Sequence, residues 1–166
     1  MMSADSLVIR RVEQSDEAGF SSVEKFRRYL SEDRAGLRPV FVAILDGEVA
    51  GYVTLLWNAD DPAFRMEEIA EISDLWVSDC FRCRGVGTAL LAHAEQEAAR
   101  RSPTVGLNVG LHSGYGAAQR IYVRCGYVPD GSGVVVEGEV VPEGSTIRLD
   151  DDPIVTLRMK KVLGVR

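Results

Sequence analysis

The sequence predicts an α/β protein, a mixed sheet with helices packed on its faces. Three observations predict it. Short runs rich in β-branched residues recur along the chain, bounded by Gly, Pro and Asp. Two apolar runs, residues 39–45 and 48–57, flank an Asp46-Gly47 pair, the strongest short-range hairpin signal. Between residues 69 and 111 a strand, a glycine loop, a helical stripe and a second strand follow one another. That order calls for a right-handed crossover with its two strands parallel.

Each element follows from its letters. Residues 7–12, Leu-Val-Ile-Arg-Arg-Val, read as a first strand. Ser15-Asp16-Glu17 offers a helix start, and residues 22–31 read as a helix with Val23, Phe26 and Leu30 on one face. After the hairpin, residues 58–66, with Asp60-Asp61-Pro62, read as a surface loop, and residues 69–78 as a longer strand. A helix is expected over about residues 87–101. Val86, Leu90, Leu91, Ala94 and Ala98 form its apolar stripe, and Glu95, Gln96, Arg100 and Arg101 its water side. Pro103 breaks it. Residues 105–111 form the next strand, followed by a helix over 115–125 with Ala118, Ile121, Tyr122 and Cys125 on one side and Gly126 as its stop. Residues 127–128 and 134–136 read as short strands, and residues 152–160 close the sheet. With no repeat or linker, residues 1–166 are expected to form a single domain.

Composition narrows the class. A chain of 166 residues, 46% hydrophobic, suffices for one compact core. Its formal net charge of −6 speaks against nonspecific nucleic-acid binding, which needs a basic face. No apolar run approaches a membrane span, and the polar N-terminus lacks the design of a signal peptide. Cys80, Cys83 and Cys125 are odd in number and lack metal-finger spacing. Cys80 and Cys83 have the spacing of a redox pair without its neighbours, so they read as free thiols in a reducing cytoplasm. A cytoplasmic protein without a metal, a nucleic-acid partner or a membrane partner is expected.

The chemistry is carried by Arg82-Cys83-Arg84-Gly85-Val86-Gly87, between a strand and a helix. Glycines let backbone N–H groups converge without an obstructing Cβ. The helix start adds unsatisfied donors and the positive end of its dipole. Such a loop is an anion nest suited to a pyrophosphate, with Arg82 and Arg84 adding charge. Alone, it is also a common plain connector. A Walker loop would need a lysine before the Thr88 position, and a dinucleotide fingerprint a third glycine where Leu90 stands.

Ala118-Gln-Arg-Ile-Tyr122, ending in Gly126-Tyr127, adds a second motif on the later helix. With Arg82-x-x-Gly85-x-Gly87 after the fourth strand, it makes the chain resemble the GNAT superfamily of acyl-CoA-dependent N-acetyltransferases. The resemblance spans about residues 7–160 in element order and is specific over about 71–127. It implies a mostly antiparallel sheet with one parallel, splayed strand pair, flanked by helices. It implies acetyl-CoA as acyl donor, with Arg82, Cys83, Arg84, Gly85, Val86, Gly87 and Thr88 at its pyrophosphate. Leu75, Trp76 and Val77 would lie along the pantetheine arm, and Ala118 would stand beside the cofactor. It also implies Tyr122 as the general acid that protonates the leaving thiolate, fitting a phenol of ordinary pKa about 10. The family's asparagine three residues before the helix alanine is Tyr115 here, and its contact is not carried over.

A primary amine of a small molecule, amino acid or peptide is the expected acceptor, attacking the thioester directly in a ternary complex. Glu71 is the first candidate to take its proton; the alternatives are Asp74, His112 or a water. Glu71 reads equally as a solvated or ion-paired carboxylate, and Tyr122 as a core tyrosine. A regular strand would put Glu71, Ser73, Leu75 and Val77 on one face and Asp74 on the other, unless a bulge reverses the relation. His93 reads as structural. Trp57 and Phe64 either line an acceptor pocket or cap the core, and Asp150, Asp151 and Asp152 either attract a cation or form a solvated turn. The competing readings are an acyl-CoA sensor without turnover and an interaction module with a vestigial loop. The resemblance also allows a homodimer.

Overall fold

The computed structural model describes residues 6–149 and 154–164. The elements run β1 (Val8–Arg11), a 3-10 segment (Gln14–Gly19), α1 (Val23–Arg34), β2 (Val40–Leu45), β3 (Glu48–Leu56), α2 (Pro62–Met66) and β4 (Ala70–Val77). They continue with α3 (Val86–Ala98), β5 (Thr104–Gly110), α4 (Gly116–Arg124), β6 (Val128–Val136), β7 (Glu139–Val140) and β8 (Val155–Val162). The eight strands form one sheet in the order β1-β2-β3-β4-β5-β8-β6-β7. Every neighbouring pair is antiparallel except β4 with β5, as the crossover through α3 requires.

Local chemistry sets most boundaries. Asp46 and Gly47 both have positive φ, 55° and 83°, matching the twist of β2 and β3. Ser22 caps α1 by accepting the Lys25 N–H at 3.0 Å. α1 buries Phe26, Tyr29 and Leu30, whereas Val23 lies exposed before the buried stripe begins. In α3 the stripe Val86, Leu90, Leu91, Ala94 and Ala98 is wholly buried, on one face of the sheet together with Tyr122 of α4. α1 packs on the other face, over Val40, Val42 and Tyr52.

Four sequence expectations need correction. Residues 58–66 contain α2: Asp61 accepts N–H groups of Ala63 and Phe64, Pro62 opens the helix, and Phe64 is fully buried. Glu95 does not face water, since Lys161 Nζ reaches its Oε2 at 2.6 Å and its side chain keeps only 13% exposure. The two short strands after α4 are one strand, β6, whose register with β8 shifts between Pro129 and Val134, where Gly131 and Gly133 have positive φ. β6 then turns into β7, which the sequence reading did not anticipate. The last strand begins in pairing at Ile154–Val155, and Asp150, Asp151 and Asp152 lie outside the described residues.

Candidate active site

β4 and β5 pair only at Ala70–Val105 and Glu71–Gly106. Beyond Glu71, β4 keeps β3 on one side while β5 stays paired with β8 through Gly110. The side of β4 facing β5, from Ile72 to Val77, thus has no strand partner. A stretch of ladder N–H and C=O groups is left for an extended ligand. Leu75, Trp76 and Val77 lie on this stretch.

β4 is also bulged. Thr54 pairs with Ser73 and Tyr52 with Trp76, so Asp74 and Leu75 together oppose Val53. Asp74 has φ +51°, a left-handed conformation that Asp tolerates better than most residues. The alternation shifts there. Ala70 and Ile72 lie in the core beneath α3, and Leu75 and Val77 pack against that same core. Glu71 and Asp74 consequently both reach the opposite side, where α1 and α2 lie. Regular alternation fails, and the bulge is the cause.

β4 runs into a short 3-10 turn, Asp79–Phe81, and then the glycine loop. Cys83 and Gly85 are left-handed, φ +61° and +79°. Such residues build anion nests, and Gly85 avoids the cost of about 1–2 kcal/mol that a side chain meets there. The first bond of α3 runs from the Ala89 N–H to the Gly85 carbonyl, so the N–H groups of Val86, Gly87 and Thr88 precede any intrahelical acceptor. A Cβ on Gly87 would stand 3.1 Å from Ile121 Cδ1 and 3.6 Å from Val77 Cγ2. The glycine therefore lets the start of α3 approach Ile121 of α4 and Val77 of β4 closely, and the left-handed loop with its free helix-start N–H groups fits a pyrophosphate group. Arg84 holds the loop to the hairpin through Asp46 at 3.0 Å, and Arg82 pairs with Asp79 at 2.9 Å. Cys80, Cys83 and Cys125 are free thiols.

Tyr122 is buried next to Ile121, its ring 5.9 Å from that of Tyr127. Burial, then the charges of Tyr115 and Asp74, push its hydroxyl up to about 12, so it keeps its proton at neutral pH. Ala118 lies one turn earlier, half-buried against the same core. Gln119 ties the start of α4 to the end of β5 by donating to the Gly110 carbonyl at 2.8 Å.

Glu71 is buried where the β4–β5 pairing stops. Its Oε2 accepts the Asp61 N–H at 3.0 Å and its Oε1 the Asn108 amide at 3.3 Å. Burial pushes its carboxyl above the ordinary value, against these two hydrogen bonds. Asn108 also donates to Asp61 Oδ2 at 3.1 Å, where Arg158 Nε arrives at 2.8 Å. Burial alone would raise Asp61. The bonds from Arg158, Asn108 and the Ala63 N–H outweigh it and hold that carboxyl below its ordinary value. Asp61, Asn108 and Arg158 escaped the sequence reading; Asp61-Pro62, a helix-start pair, was the available signal.

Asp74 forms a second polar centre. Its Oδ2 accepts from Tyr29 at 2.8 Å and Lys25 at 3.1 Å, with the Tyr52 hydroxyl at 3.5 Å. Burial and then the Asp74 charge push Tyr29 up to about 12. Tyr52 stacks between Phe20 and Trp76, at 4.4 and 5.5 Å. The other candidates have structural partners. His112 caps the turn before α4 by accepting the Gly114 N–H at 3.1 Å, and His93 packs edge-on to Phe41. Trp57 lies under the Arg101 guanidinium at 4.1 Å, and Phe64 is sealed in with Ala59 and Ile69. Among the described residues no group of three or more His, Cys, Asp or Glu is placed to hold a metal, and no helix is long and apolar enough to cross a membrane.

The split parallel strand pair and the glycine-opened helix start lie within the segment that an acetyltransferase family model matches, which makes the chain an acyltransferase. The chain belongs to the acetyltransferase (GNAT) family, whose model matches residues 8–127. Its fold is similar to that of ribosomal-protein-alanine N-acetyltransferase from Brucella melitensis, at 20% identity and TM-score 0.69 over 94% of this chain and 99% of that one. YncA of Salmonella typhimurium, solved with its cofactor acetyl-CoA, is 17% identical with TM-score 0.69 over 97% and 96%. A phosphinothricin acetyltransferase from Sinorhizobium meliloti, in complex with acetyl-CoA, is 16% identical with TM-score 0.68 over 95% and 89%. No curated protein matches significantly in sequence.

Proposed function

We propose that this acetyltransferase moves an acetyl group from acetyl-CoA to a primary amine of a small molecule, amino acid or peptide, by direct attack in a ternary complex. The observation that carries the reading is the unpaired β4 edge running straight into the glycine loop. Acetyl-CoA, when bound, supplies an activated thioester and an anionic pyrophosphate. The N–H groups from Arg82 to Thr88 hold the anion, and the backbone of Leu75, Trp76 and Val77 aligns the pantetheine arm.

Glu71 takes the proton that the acceptor ammonium must lose. Its raised carboxyl is a stronger base than an exposed one, and Asn108 with the Asp61 N–H fixes its orientation. Tyr122, protonated at neutral pH, gives a proton to the departing sulfur. The same reading takes residues 1–166 as one domain acting in the cytoplasm. A CoA-release assay over primary amines and peptides tests it; acetyl-CoA binding without release for any of them would favour a sensor instead.

A further inference from the structure

Lys25, Lys160 and Lys161 are the chain's three lysines among nineteen basic residues. Two of them brace the fold away from the β4 bulge: Lys160 pairs with Glu67 at 2.7 Å and Lys161 with Glu95 at 2.6 Å. Lys25 does something different. From the first turn of α1 its Nζ reaches Asp74 Oδ2 at 3.1 Å. Asp74 is the bulged residue of β4, within the stretch that β5 leaves unpaired and adjacent to Leu75. A primary amine of the protein is thus seated on the strand segment that would carry the donor thioester. Tyr29 shares the same carboxylate oxygen at 2.8 Å and fixes its position.

We propose that Lys25 is a self-acetylation site of this enzyme. The inference rests on the acetyltransferase reading above and adds a modification site to it. In the reaction the Lys25 nitrogen forms a bond to the acetyl carbon while the carbon–sulfur bond breaks, giving Nε-acetyl-Lys25 and free CoA. The ammonium loses two protons. Asp74 passes one to solvent before attack. The second leaves the nitrogen as the carbon–sulfur bond breaks and restores, through solvent, the proton that Tyr122 gives to sulfur, so that the net products are the amide, the CoA thiol and one proton. The product amide is neutral, so the ion pair with Asp74 ends and Tyr29 remains as its hydrogen-bond donor.

The test needs no knowledge of the natural acceptor. The full chain is incubated with acetyl-CoA alone, and acetylation of the three lysines is followed by peptide mass spectrometry. Lys25 should be acetylated at least about tenfold faster than Lys160 or Lys161, since it alone is held at the site. The rate should be independent of protein concentration and fall at least about tenfold in Tyr122→Phe. About one equivalent of CoA should be released per chain, and none in Lys25→Arg. Equal acetylation of all three lysines, unchanged in Tyr122→Phe, would reveal only solution chemistry and overturn the proposal. An unmodified Lys25 in protein whose melting temperature acetyl-CoA raises would also overturn it, while leaving the donor site of the proposed function intact.

Discussion

The Asn108 amide on β5 donates to Glu71 Oε1 on β4 at 3.3 Å, two residues beyond the last point at which the strands pair. One side chain thus spans the opening of the split and orients its buried carboxylate. Glu71→Gln should lower kcat by about 10²–10⁴ and remove the acid limb that Glu71 gives the pH–rate profile. Asn108→Ala withdraws a bond to the charged form, so the Glu71 carboxyl rises further and that limb should move to higher pH. Rate profiles of both variants across that acid limb provide the check.

Tyr122 is pushed up to about 12 by burial and nearby charge. Its ionisation should therefore produce no alkaline loss of activity below about pH 11. Tyr122→Phe should cost about 10²–10⁴ in kcat while acetyl-CoA binds as before. Steady-state rates and calorimetric titration separate the two effects.

Gly87 stands where a Cβ would press on Ile121 at 3.1 Å. Ile121 Cδ1 is the end of a flexible side chain, and alanine favours the helix over glycine by about 1 kcal/mol. Gly87→Ala should leave the melting temperature nearly unchanged yet weaken acetyl-CoA about tenfold, because the added methyl pushes the α3 start off Ile121 and shifts the N–H groups that face the anion. A large stability loss with unchanged affinity would argue that Gly87 serves packing alone.

Arg158 and Asp61 form an ion pair in which each side chain keeps only 4% exposure. Arg158→Met should destabilise the protein by about 3–5 kcal/mol at pH 7, because Asp61 is left buried and charged. In the native protein the depressed Asp61 carboxyl contributes stability above its ordinary value of 3.8, lost as pH falls through the lower folded value. In the variant, burial instead raises that carboxyl, so the cost should shrink as pH falls toward 4. Urea unfolding at both pH values measures the difference.

Much of this was legible in the sequence where local chemistry decides. Asp46-Gly47 specified its turn, the α3 stripe its buried face, and Arg82 to Gly87 its place between strand and helix. The rest depends on contacts distant in the chain. Arg158 reaches Asp61 across 97 positions, which no periodicity records. A single bulged residue at Asp74 swapped the faces of β4, and the sequence sign was only an Asp that tolerates positive φ. Glu95 looked solvated because the pattern of α3 alone does not show that Lys161 of β8 lies against it.

The proposed reaction, acetyl transfer to an amine at the split beside the glycine loop, is open to a simple kinetic test. Multiple-turnover CoA release over a panel of primary amines and peptides, in native protein and in Tyr122→Phe, tests it most directly. Native protein should show sustained release that requires an amine and falls at least about a hundredfold in Tyr122→Phe. Acetyl-CoA binding with no amine-dependent release, or a Tyr122→Phe variant as fast as the native protein, would contradict it.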